Sequence, residues 1–259
     1  MTVELEDVVA RLRAAGCVFA EREAELLLAT ADPERLVLRR IAGERLEDVL
    51  GWAEFVGLRF TVAPGVFVPR HRSEFLVEIA VARTRPGDVV LDVGCGTGAL
   101  GGALRARVPG VELHATDVDP AAVACARENL PGADVFPGDL FGGVPEGLRV
   151  DVLLANVPYV PSSEIAHLPP EMREGELRSA LDGGADGLDV LRRVLAGLDG
   201  VLSGRGISLS ELDEDQVPAA VELIPAGFSA EVFADTSDED DGSRVVVWSR
   251  APTGEARRR

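Results

Sequence analysis

Apolar residues recur at helical spacing through the first fifty residues of the chain. Leu5, Val8, Val9 and Leu12 lie three or four positions apart, as on one face of an amphipathic helix, and Gly16 follows them as a stop signal. Stripes of the same period run from Ala24 to Ala31, from Leu36 to Ile41 and from Leu46 to Trp52. The pattern predicts a small helical domain over residues 1–53, and helix packing alone accounts for its stripes.

A different pattern occupies residues 54–69. Phe55, Leu58, Phe60 and Val62 alternate imperfectly with polar residues, the turn signal Ala63-Pro64-Gly65 follows, and residues 66–68 are again apolar. Alternation interrupted by a proline-glycine turn is typical of a β-hairpin. The segment therefore predicts a hairpin with its turn at residues 63–65, linking two domains.

Residues 70–259 predict an α/β domain. Residues 70–83 suit a helix, and strand and helix patterns alternate from Pro86 onward. Strands are predicted at residues 89–93, 111–116, 133–136, 150–155, 206–209, 229–233 and 244–248. Helices are predicted at residues 99–108, 121–130, 188–202 and 217–224, and residues 235–242 read as an acidic loop. Such alternation indicates a mostly parallel sheet with helices on both faces, where ligands bind outside the carboxyl ends of the strands.

Composition limits the classes of function. Hydrophobic residues make up 46% of the chain and charged residues 27%, which predicts a packed core. The formal net charge of −18 argues against direct nucleic-acid binding, because a phosphate backbone would be repelled. No apolar run approaches the ~20 residues of a membrane span, and the acidic start of the chain predicts no secretory signal.

Cysteine and histidine spacing predicts neither disulfides nor a metal site. Three cysteines, an odd number, lie at scattered positions: Cys17, Cys95 and Cys125. This spacing favours a reducing compartment, the cytoplasm. The three histidines are equally scattered, so no metal is expected.

A glycine-rich loop joins the first strand of the α/β domain to a helix. Its sequence runs Asp92-Val93-Gly94-Cys95-Gly96-Thr97-Gly98. Glycines let the backbone approach a ligand closely, and the helix behind the loop offers unpaired N–H groups. Candidate cofactor-binding residues are therefore Asp92, Gly94, Cys95, Gly96, Thr97 and Gly98. The loop alone leaves the cofactor open, because Gly94, Gly96 and Ala99 also satisfy a dinucleotide pattern.

Two further acids follow predicted strands. Asp117, with its neighbour Val118, ends the second strand, where a carboxylate can accept both hydroxyls of a ribose. The alternative, a helix-capping role, suits Asp119 better because Pro120 follows it. Asp139 ends the third strand and could accept from an adenine amino group while Leu140 covers the ring. A turn aspartate is the alternative at that position.

The segment Asn156-Val157-Pro158-Tyr159 follows the fourth strand and suggests the reaction. An amide nitrogen is a poor nucleophile because its lone pair is delocalised. The Asn156 side-chain oxygen and the Val157 carbonyl are adjacent acceptors for the two N–H bonds of such a group. Tyr159 can form a wall beside it, and Pro158 favours an extended Val157. Catalytic residues are predicted to be Asn156, Val157, Pro158 and Tyr159, acting on an amide or amino nitrogen.

These motifs resemble the HemK/PrmC-type protein-(glutamine-N5) methyltransferase family. The resemblance rests on residues 66–70, 74–77, 92–98, 138–141, 156–159 and 180–189. It implies a class I, Rossmann-like, S-adenosyl-L-methionine-dependent methyltransferase sheet over residues 70–259. It further implies a substrate-docking helical domain over residues 1–53 and a hairpin linker over residues 54–69. The implied acceptor is the glutamine of the Gly-Gly-Gln loop in peptide chain release factors.

The resemblance also implies residue roles. Gly94, Gly96 and Gly98 line the methionine and ribose side of S-adenosyl-L-methionine, whose product is S-adenosyl-L-homocysteine. Asp117 holds the ribose, Asp139 and Leu140 contact adenine, and Asn156 contacts both cofactor and acceptor. The chain departs from the family in having Val157 where proline is usual and His71-Arg72-Ser73 where Pro-Glu-Thr is usual, and its helical domain is short. These departures leave a small-molecule or peptide N-methyltransferase as the alternative.

Other classes compete with this interpretation, among them a non-catalytic cofactor-binding protein. DNA adenine methyltransferases use a similar Asn-Pro-Pro-aromatic loop, but the acidic balance of the chain argues against DNA. A nicotinamide-dependent oxidoreductase would tolerate the glycine loop. However, Tyr159 is the only tyrosine and lysine is absent, so no Tyr/Lys pair stands out.

Overall fold

The N-terminal region folds into a bundle of four helices in the computed structural model, which describes residues 4–235 and 243–251. The helices are α1 (Leu5–Ala14), α2 (Ala20–Leu28), α3 (Pro33–Ile41) and α4 (Leu46–Leu50). Their apolar stripes form one core that includes Leu12, Leu27 and Val37. All four predicted stripes are helical, but the last ends at Leu50, because Gly51 takes a left-handed φ of 78° and Trp52 starts a strand.

The hairpin is present, but its predicted turn is wrong. Strands β1 (Trp52–Phe55) and β2 (Leu58–Thr61) are antiparallel and joined by Val56 and Gly57, not by residues 63–65. Both turn residues have positive φ, 51° and 69°, the combination whose twist suits a two-residue hairpin. A valine rarely adopts such a φ, so residues 56–57 carry no turn signal that a local pattern could reveal. Residues 66–68 form no strand.

A seven-stranded sheet forms the rest of the molecule, and the predicted α/β class is confirmed. Its order is β5-β4-β3-β6-β7-β9-β8; β3 to β7 run parallel to one another, and β9 is antiparallel to both its neighbours, β7 and β8. The strands are β3 (Val89–Val93), β4 (Glu112–Asp117), β5 (Asp134–Pro137), β6 (Val150–Leu154), β7 (Leu202–Asp213), β8 (Phe228–Ala234) and β9 (Ser243–Arg250). The helices are α5 (Glu74–Val81), α6 (Ala99–Arg107), α7 (Pro120–Asn129), α8 (Pro170–Gly175), α9 (Asp189–Val201) and α10 (Val217–Glu222). Most of the predicted acidic loop, residues 236–242, lies outside the described residues.

Strand β7 is much longer than the four residues predicted. It continues to Asp213 because Ser208, Ser210 and Glu211 pair within the sheet although they are polar, and all three are buried. Alternation of apolar and polar residues could not reveal this extension, since the buried positions are polar. Glu211 therefore lies inside the sheet, near its carboxyl edge.

Apolar layers cover both faces of the sheet. Helix α9 packs on one face through Leu191 and Leu198, in a cluster that includes Trp248 and Tyr159. Helices α5, α6 and α7 pack on the other face. Helix α6 comes especially close, because a Cβ at Gly101 would lie 2.9 Å from Leu113 Cδ1. This close packing fixes the N-terminus of α6 directly behind the glycine loop.

All three cysteines are buried and form no disulfide. Cys17 belongs to the core of the helical bundle, Cys95 to the glycine loop and Cys125 to α7. Cys125 donates its thiol to the carbonyl of Thr61 on the hairpin, at 3.1 Å. Among the helices of the described residues, none has the length and apolar character to cross a membrane.

Candidate active site

A cavity opens at the carboxyl ends of β3, β4, β5 and β6, with about 1140 Å³ of empty space including its mouth. This is the edge where parallel sheets bind ligands, and the size suits a small organic ligand. The predicted residues that line it are Gly94, Gly96, Asp117, Val118, Asp139, Leu140, Asn156, Val157, Pro158 and Tyr159. The fold thus brings residues from four strand ends into one site.

The glycine loop presents its backbone to this cavity. Gly94 and Gly96 have φ of 65° and 53°, in the left-handed region that favours glycine. A Cβ added at Gly94 would meet no heavy atom nearer than 3.9 Å, and one at Gly96 none nearer than 3.7 Å. Either Cβ would make an ordinary van der Waals contact, so the positive φ rather than crowding favours glycine here. The loop therefore lines the cavity with its backbone alone at these two positions.

Four residues of the glycine loop that were predicted to bind the cofactor do not line the cavity. They are Asp92, Cys95, Thr97 and Gly98. The Cys95 N–H donates to the Thr116 carbonyl at 3.0 Å, and the Thr97 carbonyl accepts from Asn129 at 2.9 Å. Gly98 has a φ of 77°, and a Cβ there would lie 2.7 Å from Leu130 Cδ1, so backbone conformation and packing both favour glycine. These contacts shape the loop from behind.

Asp92 is completely enclosed and connects β3 to α6. Its Oδ2 accepts the Gly101 N–H at 2.9 Å, while Oδ1 has no hydrogen-bond partner within the described residues. Burial raises the pKa of Asp92 to about 7, the Gly101 N–H lowers it, and the charge of Asp117 raises it. The carboxyl therefore titrates near neutral pH at the back of the site.

Asp117 is held in one orientation by two backbone donors. Its Oδ2 accepts from the N–H of Gly96 and its Oδ1 from that of Asp119, each at 2.9 Å. Burial raises the pKa of Asp117, and the two N–H groups oppose that rise. Each oxygen keeps a second acceptor site, so the carboxylate can also bind a pair of hydroxyls. Asp119 caps α7 as predicted, accepting the Ala121 N–H at 3.0 Å.

Asp139 carries a partner that the sequence did not suggest. Arg193 of α9 pairs with Asp139 Oδ2 at 2.6 Å, and both side chains are about half exposed. Beside them Leu140 has a φ of 51°, and Val118 is 64% exposed although it is apolar. This end of the cavity therefore combines an apolar surface with a screened ion pair.

Asn156 is oriented by Ser73, a residue 83 positions earlier in the chain. The Asn156 Nδ2 donates to Ser73 Oγ at 3.1 Å, and Ser73 is buried at the start of α5. No hydrogen bond within the described residues uses Asn156 Oδ1. Because Nδ2 is bound by the protein, Oδ1 remains available as an acceptor at the cavity.

Tyr159 is held between two charged residues. Its hydroxyl donates to Glu211 Oε1 at 2.8 Å and accepts from Arg72 Nη2. Arg72 Nε lies 3.1 Å from the same Glu211 oxygen, so the three side chains form a closed triangle. Burial raises the pKa of Tyr159 well above its ordinary value, and the Glu211 charge adds to the rise. The phenol therefore stays protonated.

A segment after the Asn156–Tyr159 loop closes the other side of the cavity. Met172, Leu177 and Leu181 line it. The neighbouring Glu176 is buried, and its Oε1 accepts from Arg45 Nη1 at 2.9 Å and from Arg70. Burial raises the pKa of Glu176, while the charges of Arg70 and Arg45 lower it. The cavity wall is thus tied to the helical bundle through Arg45.

Comparison with known proteins identifies relatives of similar length. A family model described as "Methyltransferase small domain" matches residues 57–168. The release factor glutamine methyltransferase of Geobacter sulfurreducens is 38% identical, over 83% of this chain and 76% of the relative. The enzyme of the same name from Cereibacter sphaeroides is 36% identical, over 96% of this chain and 97% of the relative.

Two solved structures share the fold at low identity. A methyltransferase from Pyrococcus furiosus gives a TM-score of 0.55 at 19% identity, covering 85% of this chain and 98% of its own. The ribosomal protein L11 methylase of Lactobacillus delbrueckii subsp. bulgaricus gives 0.51 at 18% identity, covering 70% and 80%. At such identity the likeness concerns the Rossmann-like sheet and its helices.

Proposed function

The chain belongs to the release factor glutamine methyltransferase family, and from that premise we propose that it methylates the side-chain amide of a glutamine in a protein. The class I methyltransferase fold implied by the resemblance is confirmed. The proposed donor is S-adenosyl-L-methionine and the proposed acceptor is the Gly-Gly-Gln loop of a release factor. A translation factor as acceptor would make the reaction cytoplasmic.

One observation carries the proposal: Asn156 and Tyr159 line the same cavity as Gly94 and Gly96 of the glycine loop and Asp117. A donor site and an acceptor site must adjoin for a group to pass directly between them. Here the glycine loop follows β3, and the segment Asn156–Tyr159, which we call the acceptor loop, follows β6. Strands β3 and β6 are paired neighbours in the sheet. This strand order supports a donor site and an acceptor site that adjoin each other.

The residues of the cavity fit S-adenosyl-L-methionine. Gly94 and Gly96 line the cavity with backbone and no side chain, Asp117 has acceptor capacity for two ribose hydroxyls, and Val118 presents an exposed apolar surface for a flat ring. Asp139 and Leu140 complete the adenine end, with Arg193 beside them. We assign Asp92, Cys95, Thr97 and Gly98 the task of shaping the loop.

When bound, S-adenosyl-L-methionine supplies an electrophilic methyl group, whose C–S bonding pair stays on sulfur as the amide nitrogen pair forms the N–C bond. Asn156 Oδ1 and the Val157 carbonyl would accept hydrogen bonds from the two N–H groups of the glutamine amide and so turn its nitrogen toward the methyl donor. Tyr159 restricts the acceptor from the side. One amide proton leaves to water, so no residue of the chain has to act as a base. Orientation of this kind can account for a large share of the rate.

The test uses the complete protein, labelled S-adenosyl-L-methionine and purified release factors. We expect label on the glutamine of the Gly-Gly-Gln peptide, located by mass spectrometry. Asn156→Ala should abolish transfer while binding of S-adenosyl-L-homocysteine, measured by calorimetry, persists. Label absent from release factors but present on a small molecule or peptide would reject the proposed acceptor. Transfer by Asn156→Ala at the wild-type rate would reject the assigned role of that residue.

A further inference from the structure

A buried triangle of Arg72, Tyr159 and Glu211 adjoins the acceptor loop, and neither the motifs nor the relatives assign it a task. Arg72 lies in the turn before α5, Tyr159 ends the acceptor loop, and Glu211 lies in β7. Of the three side chains, Arg72 and Tyr159 line the cavity and Glu211 does not. The triangle therefore joins three distant segments of the chain at the wall of the site.

We propose that Arg72 and Glu211 are positioning residues for the methyl acceptor. They hold the hydroxyl of Tyr159 between them and so fix the Tyr159 ring, which forms one wall of the acceptor pocket. The proposal rests on the proposed function, since it concerns the same acceptor pocket. Neither Arg72 nor Glu211 is proposed to contact the reacting atoms. Both act through Tyr159.

The contacts leave the phenol little freedom. Rotation about the Cα–Cβ bond moves the hydroxyl, so hydrogen bonds on both sides of the hydroxyl restrict that rotation, and the ring itself is buried. The hydroxyl donates to Glu211 at 2.8 Å and accepts from Arg72, whose guanidinium carbon lies 5.5 Å from the ring centre. The Tyr159 backbone is fixed too, since its carbonyl accepts from Gln216 Nε2 at 2.8 Å. The wall is thus set before an acceptor arrives.

Burial explains why Arg72 and Glu211 must act together. Glu211 is 2% exposed, and its Oε2 has no hydrogen-bond partner within the described residues. An enclosed carboxylate of this kind is costly unless a cation compensates it. Arg72 supplies that charge at 3.1 Å while its side chain stays 31% exposed at the cavity.

Kinetics of five variants test the coupling. Arg72→Met and Glu211→Gln should each lower kcat about 10-fold, because a displaced wall misorients the acceptor. The affinity for S-adenosyl-L-homocysteine should stay at the wild-type value. The double variant should lose about 10-fold rather than the ~100-fold of independent effects, because neither charge is left alone. Tyr159→Phe should lose as much as Glu211→Gln, and adding Glu211→Gln to it should lower kcat no further.

The control lies in the same turn. His71 is adjacent to Arg72, but its side chain is 84% exposed and pairs with Glu74. His71→Ala should keep the wild-type kcat. Glu211→Gln preserves the volume of the side chain, so it remains informative if Arg72→Met does not fold.

A spectroscopic readout separates this inference from the proposed function. Tyr159 is the only tyrosine, so protein labelled with ¹³C at tyrosine Cζ gives one resonance from the phenol carbon. Arg72→Met and Glu211→Gln should each shift it, and His71→Ala should not. An unmoved resonance in both variants, or unchanged kcat in both, would overturn the inference. Failure of the proposed function appears instead in the wild-type enzyme, as release factors that acquire no methyl group.

Discussion

The hydroxyl of Ser73 supports the central residue of the acceptor site. It accepts a hydrogen bond from Nδ2 of Asn156 at 3.1 Å and thereby leaves Oδ1 as the amide atom that faces the cavity. Ser73→Ala removes the support, and loss of one such bond, ~1 kcal/mol, should lower kcat about 5-fold. Ser73→Thr keeps a hydroxyl and should restore most of the rate. Equal rates for Ser73→Ala and the wild type would show that Asn156 needs no such support.

Asp92 makes stability depend on pH. Its folded pKa of about 7 lies above the ordinary 3.8, so the folded state binds more protons than the unfolded state between those values. Stability should therefore fall as pH rises from about 4 to about 7. Asp92→Asn keeps an acceptor for the Gly101 N–H and removes the charge. It should raise the free energy of unfolding at pH 8 by up to about 4 kcal/mol.

Urea unfolding at pH 5 and pH 8 checks this effect of Asp92. Asp215→Asn is the matched control, because Asp215 is an exposed aspartate of the same sheet domain. The gain of Asp92→Asn should be much larger at pH 8 than at pH 5, and Asp215→Asn should show little change at either. A variant that loses stability at pH 8 would contradict the assignment.

Single residues were predictable where chemistry follows a local motif. Asp117 ends a strand and Asn156 follows one, so their positions in the sequence predicted the correct edge of the sheet. Ser73, Arg193 and Glu211 belong to other motifs or to none. Glu211 meets Tyr159 only because β7 lies beside β6 in the sheet. Such partners depend on strand order and side-chain rotation, and neither is encoded by local spacing.

Among the elements, the hairpin carries backbone strain at its turn. Val56 has a φ of 51°, which costs a β-branched residue ~1–2 kcal/mol. Asparagine tolerates this region and favours two-residue hairpins before glycine. Val56→Asn should therefore raise the free energy of unfolding by about 1 kcal/mol, even though Val56 is partly buried.

Thermal or urea unfolding measures that gain in the hairpin. Val18→Asn serves as the control, because Val18 is 83% exposed and has no positive φ. It should leave stability nearly unchanged. Lower stability of Val56→Asn would mean that the packing of Val56 outweighs its strain.

Element limits were predictable where apolar periodicity and breakers agree. Strand β3 matches the predicted residues 89–93, because an apolar run is bounded by glycines. The hairpin turn and the far end of β7 were missed for opposite reasons. The turn contains a residue with no turn preference, and the strand buries polar residues. Both features depend on tertiary contacts between residues far apart in the chain, so no short window of sequence reveals them.

In the whole molecule, Glu176 links three parts that are far apart in sequence. Arg45 comes from the helical bundle, Arg70 and Val68 from the segment after the hairpin, and Glu176 from the cavity wall. Glu176→Gln leaves the buried Arg45 with less compensation. The free energy of unfolding should fall by about 3 kcal/mol, as for other broken buried ion pairs.

The same variant tests whether the bundle helps to present a protein acceptor. The kcat/KM for an intact release factor should fall more than that for an isolated Gly-Gly-Gln peptide, since only the former can contact the bundle. Glu222→Gln, at an exposed glutamate of α10, is the control. Equal losses for factor and peptide would limit the role of Glu176 to stability.

The three buried cysteines make the unmodified protein a reporter of its own opening. Cys17, Cys95 and Cys125 are 9%, 8% and 4% exposed, and they lie in the bundle, the glycine loop and the helix under the hairpin. A thiol reagent can react with each only when that part opens, so the three labelling rates time three separate fluctuations. S-adenosyl-L-homocysteine should slow labelling of Cys95 and leave that of Cys17 unchanged. Site-resolved mass spectrometry would then show which part of the enzyme its cofactor holds shut.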